Sequence, residues 1–349
     1  MIFLGDLACP DEKIDDFVSC INEMPIFQDE IVIVNLEGLF VDDLKQRRRP
    51  TLYNNSKLLN AFKQARKVIF SLANNHMYDY PSAIISTKLE LESAGFGTFG
   101  LYEKSKIIPY EYETNGEKYA FFGHCWRLYT QTNRNTINDF MIVDCVYEEL
   151  IRVVKDYKAT NPSTKVYCFM HWNYDLEVLP FPYYRAIARE LIDSGADAVI
   201  GSHSHVPQGV EEYKGKLIAY CLGNFYLPSG FFFNGTLLYP ASSKQTYGVR
   251  LISESADLLW FDTDTGNKPV TLSGIEEVQG PIISEFSQFK TMNQDDYLRF
   301  FKNKRTNRTL VPVFGKYQSS SAIRFQEAFA ISRVRMAKLV HKMIKGNDA

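Results

Sequence analysis

Short apolar runs punctuate the first 225 residues, and each ends abruptly in polar side chains. They read "MIFLGD", "EIVIVNLEG", "KVIFSLANNH", "EKYAFFGHCW", "KVYCFMHW", "ADAVIGSHSH" and "KLIAYCLGNF". Their length and their Val, Ile, Phe and Tyr content suit buried strands. Helix-like stretches lie between several of them. "SAIISTKLELESAG" follows the third run and "YYRAIARELIDSGAD" separates the fifth from the sixth, with Gly95 and Gly195 placed to stop each helix. Such alternation predicts an α/β sheet with helices on its faces. After about residue 255 the pattern loosens, and "SESADLLWFDTDTGNKPVTLSG" reads as an edge strand with turns.

A chain of 349 residues, 45% hydrophobic and 14% aromatic, buries a sizeable core and is not a disordered one. No stretch approaches the roughly 18 uninterrupted apolar residues of a membrane span, so no transmembrane segment is expected. "MIFLGDLACP" is too short in apolar residues for a secretion signal, which places the expected location in the cytoplasm. Cys9, Cys20, Cys125, Cys145, Cys168 and Cys221 are scattered, mostly in apolar runs, as free buried thiols are.

Charge is unevenly spread. From Arg299 to Lys345 there are twelve basic residues against one acid, Glu327, so this segment is +11 and the remainder of the −2 chain is −13. Within the tail, Phe325, Phe329, Met336, Leu339, Val340 and Met343 recur at helical spacing. The expected organisation is a main domain over 1–275 and a basic helical extension over 276–349 packed on it. Membrane, polymer and dimer contacts are alternatives for the helix, and a homodimer is one possible assembly.

The polar groups behind the runs are Asp6, Glu37, Asn74, Asn75, His76, His124, His171, His203 and His205. In α/β sheets ligands collect beyond the carboxyl ends of strands, so these groups are expected on one rim. Residues i and i+2 of an extended segment point the same way, which would let His203 and His205 reach one polar centre. Asp79, three residues after His76, is placed to fix that imidazole's tautomer. Asn and Asp here also suit helix capping. Two carboxylates, an amide oxygen and three imidazoles form a mixed donor set suited to Mn, Fe or Zn. Their number suits two divalent metal ions, which clamp an oxyanion and activate water.

"GD" at 5–6, "NLEG" at 35–38, "SLANNHMYDY" at 71–80, "HW" at 171–172 and "GADAVIGSHSHVPQGVEEYKGKLIAYCLGNF" at 195–225 occur in the order of one family. The chain resembles the CapA (capsule, poly-γ-glutamate synthesis) family, within the calcineurin-like metallophosphoesterases. The resemblance implies a four-layer αββα sandwich. It also implies Asp6 and His205 on a first metal, Glu37 bridging, and Asn75, His171 and His203 on a second. His76 would protonate the leaving group or steady the transition state. Ala8 departs from the superfamily's usual Asp-x-His, and Pro81 from the usual glycine.

The resemblance thus implies a metal-dependent hydrolase acting on an anionic small molecule or polymer, at a phosphoester or γ-glutamyl-type amide. A non-hydrolytic assembly partner of a polymer synthase is the alternative. No nucleic-acid partner is expected. Arg48 and Arg49 in "KQRRRP" are candidates to pair with substrate anions, the alternative being a solvated loop. Asn74 and His124 are further substrate-contact candidates. "LPSGFFFNGTLLYP" (227–240) is an aromatic insertion that reads as a lid, a dimer surface or core packing.

Overall fold

All seven apolar runs form strands, the last one split in two. The computed structural model describes residues 1–43, 47, 51–126, 142–253, 255–265 and 268–306, with 325, 328, 329, 332 and 336 of the tail. The principal strands are β1 (Ile2–Leu7), β2 (Ile31–Leu36), β3 (Lys67–Ser71), β4 (Gly97–Phe99) and β5 (Tyr110–Thr114). They continue with β6 (Glu117–Cys125), β7 (Lys165–His171), β8 (Ala198–Ser202), β9 (Val210–Tyr213) and β10 (Lys216–Ala219). The last four are β11 (Asn224–Tyr226), β12 (Gln245–Ile252), β13 (Ser255–Thr265) and β14 (Lys268–Glu277).

One sheet is ordered β14-β13-β12-β1-β2-β3-β4, with β11 also paired to β1. The other is ordered β9-β10-β8-β7-β6-β5. The central strands of each are parallel; antiparallel strands flank the second sheet on both sides and the first on the β12 side, its β4 edge being parallel. The segment after residue 255, expected as one edge strand with turns, is a hairpin of two long strands that extends β12. Its polar alternation hid this: one face is solvated along most of β14.

Side-chain parity builds the layers. Phe3, Ile33 and Ile69 of the first sheet share a core with Phe121, Tyr167, Phe169 and Ile200 of the second. Their neighbours Leu4, Val32 and Val34 face outward, onto Phe17 and Ile21 of α1 (Ile14–Asn22) and Ile84 and Leu91 of α2 (Ile84–Ser93). On the far side Phe122, Val166, Cys168 and Met170 meet Leu150 and Val154 of α3 (Tyr147–Thr160) and Ile187 and Leu191 of α4 (Pro182–Asp193). The architecture is therefore a four-layer αββα sandwich. All six cysteines are free thiols, and five are buried. No described helix is long and apolar enough to cross a membrane.

Residues 220–226 pass from one sheet to the other. Leu222 donates its N–H to the Gly201 carbonyl at 3.0 Å, and the Gly223 carbonyl accepts from Asp6 N at 3.0 Å. Glycine is required at both crossings: a Cβ on Gly201 would lie 1.8 Å from Tyr220 O, and one on Gly5 would lie 1.9 Å from Gly223 O. At the opposite end the sandwich holds a cavity of about 1210 Å³ lined by charged groups including Lys165, Asp197, Glu212 and Lys290.

Beyond β14, helices α5 (Pro281–Phe286) and α6 (Gln294–Lys304) lie against the body. Tyr297 and Phe301 of α6 are buried in the core that α4 also enters. Of the tail's apolar stripe, Phe325, Phe329 and Met336 are helical and exposed, whereas Leu339, Val340 and Met343 lie outside the described residues.

A buried ion network fastens this end. Arg185, fully buried on α4, donates to Glu211 Oε2 at 2.9 Å and to Phe289 O at 3.2 Å. Arg189 and the Tyr220 hydroxyl donate to Glu211 Oε1 at 2.9 and 2.8 Å. Removing one partner of such a group strands a buried charge. Glu211→Ala is expected to lower unfolding free energy by about 3–5 kcal/mol in urea titrations. Arg152→Ala, which breaks an exposed pair with Asp156, should change it by about 0.5 kcal/mol or less.

Candidate metal centre

The parallel strands of both sheets end at one rim, and the expected polar groups other than His124 gather there. Asp6 lies in β1 and is fully buried. Its Oδ1 accepts from Asn35 Nδ2 at 2.7 Å and its Oδ2 from the His203 backbone N–H at 3.0 Å. Glu37 follows β2 and is also fully buried, yet neither of its carboxylate oxygens has a hydrogen-bond partner. Instead Oε1 sits 3.8 Å from His76 Nε2, 3.8 Å from His171 Nε2 and 3.9 Å from His205 Nε2.

Two overlapping groups result. Asp6, Glu37 and His205 offer ligand atoms within 4.8 Å of one another, and so do Glu37, His171 and His203. Glu37 belongs to both. Asn75 Oδ1 lies 2.8 Å from His171 Nε2, which adds an amide oxygen to the second group. The donor set is oxygen and nitrogen, of the kind that holds Mn, Fe or Zn.

The rings are held from behind, as metal-binding imidazoles are. His205 Nδ1 lies 2.8 Å from Asn224 Oδ1, and His171 Nδ1 lies 3.0 Å from Ser202 Oγ. Asn35, Asn224 and Ser202 were not singled out in the sequence, although "VNLEG" and "CLGNF" contain the two amides beside recognised residues. His203 and His205 do not lie on extended backbone. β8 stops at Ser202, and the two histidines have φ of 93° and 58°. The turn, not strand alternation, aims the rings, whose centroids are 5.8 Å apart.

Burial sets the protonation states. It raises the Glu37 carboxyl well above the usual range, with Asp6, Asp175 and Asp79 adding to the effect. It raises Asp6 too, against the opposing pull of His205 and the hydrogen bonds to Asp6. It pushes His171 well down and His203 down to about 4. Both of these imidazoles are thereby neutral at pH 7, the form that ligates metals. A buried carboxyl without a hydrogen bond, beside a second one only partly compensated, fits divalent cations, which would offset the desolvation of both acids.

His76 stands at the edge of the cluster. Its Nδ1 lies 2.8 Å from Asp79 Oδ2, so Nε2 is the nitrogen turned toward Glu37. Asp79 itself accepts from Leu52 N at 3.2 Å. Insertion 227–240 borders the same edge: Phe233 packs on His76 with centroids 6.2 Å apart, and Tyr239 on His205 at 4.9 Å. Phe232 anchors this loop in a small core with Ala8, Leu52 and Leu227.

Two expected substrate contacts are corrected by the structure. Asn74 is buried and caps the turn Asn75–Tyr78, accepting from His76 N and donating to Asn35 Oδ1 and Leu36 O. His124 shares the parity of Ala120 and Phe122, so its ring enters the helix-side layer against Tyr147, 4.7 Å away, and not the rim. Arg48 and Arg49 lie outside the described residues. Their neighbour Arg47 is held by Asp11, at 2.5 and 3.1 Å, and stacks on Tyr53.

The family described as "Bacterial capsule synthesis protein PGA_cap" matches residues 10–229. The chain belongs to this family. The matched stretch takes in Glu37, Asn75, His76, His171, His203 and His205, and begins just after Asp6. A capsule biosynthesis protein CapA of Bacillus anthracis is 29% identical over 49% of this chain and 43% of its own length. A PGA biosynthesis protein CapA of Bacillus subtilis is 27% identical over 51% of this chain and 47% of its own. The match thus spans less than half the length of either relative. Among solved structures, a hypothetical protein from Thermus thermophilus aligns over 79% of this chain and 98% of its own, at 18% identity and a TM-score of 0.43. The NAD nucleotidase of Haemophilus influenzae aligns over 78% and 51%, at 12% identity and a TM-score of 0.35.

His124 yields a pH prediction. Its Nε2 donates to Cys145 O at 2.9 Å, and burial lowers its pKa from 6.5 to about 4. Between those values the unfolded chain binds a proton that the fold refuses, so stability falls as pH falls. His124→Gln should lessen the loss of unfolding free energy between pH 7 and pH 4.5 by about 2 kcal/mol. Parallel denaturation curves at the two pH values measure it, and identical losses would contradict it.

Proposed function

We propose that this rim is a two-metal hydrolytic centre acting on a phosphoester or γ-glutamyl-type amide during synthesis of a capsule or other surface polymer. Glu37 is the observation that carries the proposal: a buried carboxylate without a hydrogen-bond donor, shared by two groups of metal-ligating side chains. Asp6, Glu37 and His205 would hold one ion, and Glu37, Asn75, His171 and His203 the other. A bound pair of ions would supply Lewis acidity and activate water for attack. Family membership and the names of the two Bacillus relatives support the link to capsule and polyglutamate synthesis.

The chain's own residues supply the rest. Asn35 and the His203 N–H keep Asp6 oriented. Asp79 accepts from His76 Nδ1, which leaves Nε2 to give a proton to the departing oxygen or nitrogen. Phe233 and Tyr239 wall the approach beside His76 and His205 and limit the water that reaches the reacting bond.

Purified protein loaded with Mn, Fe or Zn is expected to hold about two ions per chain by elemental analysis. Activity is sought against phosphomonoesters, phosphodiesters and glutamyl peptides. His171→Ala and His203→Ala should each lose metal and abolish metal-dependent hydrolysis while the fold persists. A variant that keeps near wild-type metal content and activity would defeat the ligand assignment, and a wild type without metal would favour an assembly partner over an enzyme.

His76→Asn separates acid from ligand. It should retain both ions while kcat falls by roughly 10²–10⁴, the range for a positioned acid or base. Loss of metal in this variant would make His76 a ligand instead.

A further inference from the structure

We propose that Asp175 is a further ligand of the metal centre, closing it from the solvent side; the assignment rests on the two-metal reading above. Asp175 Oδ1 lies 3.3 Å from His203 Nε2. Asp175, His203 and His205 present ligand atoms within 4.8 Å of one another, the same closeness that relates Asp6 to Glu37 and His205. The carboxylate approaches from outside. Its side chain is 57% exposed, whereas the imidazole it meets is 2% exposed.

The backbone is arranged to bring it there. Asp175 sits in the loop after β7, between Asn173 with φ of 80° and Leu176 with φ of 59°. Left-handed backbone at non-glycine residues costs energy and persists where the surroundings over-determine it. Here the determinants are visible. Asn173 Nδ2 donates to Leu179 O at 3.1 Å, and Leu176 N donates to Ser204 O at 2.9 Å. Ser204 stands between the two histidines, which are themselves left-handed. Gln208 adds a second tie, donating to Glu177 O at 2.7 Å and to Ser204 Oγ at 3.1 Å. Two strained turns are thus bonded to each other at the point where their side chains meet.

The chemistry follows from the donor count. Glu37, Asn75, His171 and His203 offer four residues to one ion, and Asp175, against His203, brings that set to five. It adds a third carboxylate against two dications, so the loaded centre keeps a net charge of +1 toward an anionic substrate. Because Asp175 alone among the carboxylates of these groups is exposed, it is the ligand that solvent and substrate reach.

Co²⁺ is the probe. Metal-free full-length protein is titrated with Co²⁺ by calorimetry, and the visible d–d absorption is recorded. Wild type is expected to bind two ions. Asp175→Ala should weaken one of them by at least tenfold and change its d–d spectrum, while the other site is unaltered; Asp175→Glu should restore both readouts. Weaker binding with an unchanged spectrum would make Asp175 a positioning residue for His203 and overturn the proposal, as would unchanged affinity. A wild type that takes up no Co²⁺ would overturn the two-metal reading itself, and the ligand assignment with it. The thermal midpoint of metal-free Asp175→Ala, expected to match wild type for so exposed a side chain, guards against a folding defect.

Discussion

Two carboxylates buried side by side govern this molecule. Asp6 and Glu37 are both removed from water at the join of the two sheets, where an ionised carboxylate costs several kcal/mol unless it is paired. Asp6 is partly compensated by an amide and a backbone N–H. Glu37 has no hydrogen bond, and imidazole nitrogens stand about 4 Å from its Oε1. A fold that keeps such a group in its interior gains from cations at that point, and the surrounding side chains are those that bind cations. Imidazoles, a carboxylate without a hydrogen bond and a side-chain amide oxygen are donors that divalent cations accept.

The sandwich makes this arrangement possible because donors arrive from different strands. Asp6 comes from β1, Glu37 from the end of β2, Asn75 from the end of β3, His171 from β7, and His203 and His205 from the turn after β8. No local segment could assemble them. Parallel strands of both sheets end on the same side, so the loops that follow them converge, while the antiparallel flanks add width without adding donors. Aromatic packing between the sheets, as in Phe3 against Tyr167 at 5.5 Å, fixes their spacing behind the site.

Much of this was legible because buried strands announce themselves and a polar residue directly behind one must serve some purpose. Asp6, Glu37, His171, His203 and His205, which the structure brings together, were singled out in this way, helped by the family resemblance. His124 was misplaced for a physical reason. In a sheet covered on both faces, both parities are apolar, so "AFFGHC" does not say which way its histidine points. Asn74 and Asn75 are adjacent and chemically identical; only the turn decides which one caps and which one faces His171. Asp175 and Asn224 acquire meaning through long-range packing and carry no signal of their own. The left-handed turns at His203 and His205 are equally silent, because nothing in "GSHSH" calls for positive φ.

The crossing segment 220–226 has a mechanical consequence. It bonds to Gly201 on one sheet and to Asp6 on the other within a few residues, and it carries Asn224, which holds His205. The sheets are therefore stitched at the donor end, while the charged cavity lies at the other. Fluctuations that widen the sandwich grow with distance from the stitch, and the spacing between Asp6 and His205 is the last dimension to change. Thermal motion can accumulate at the far edge while the donor side chains keep their spacing.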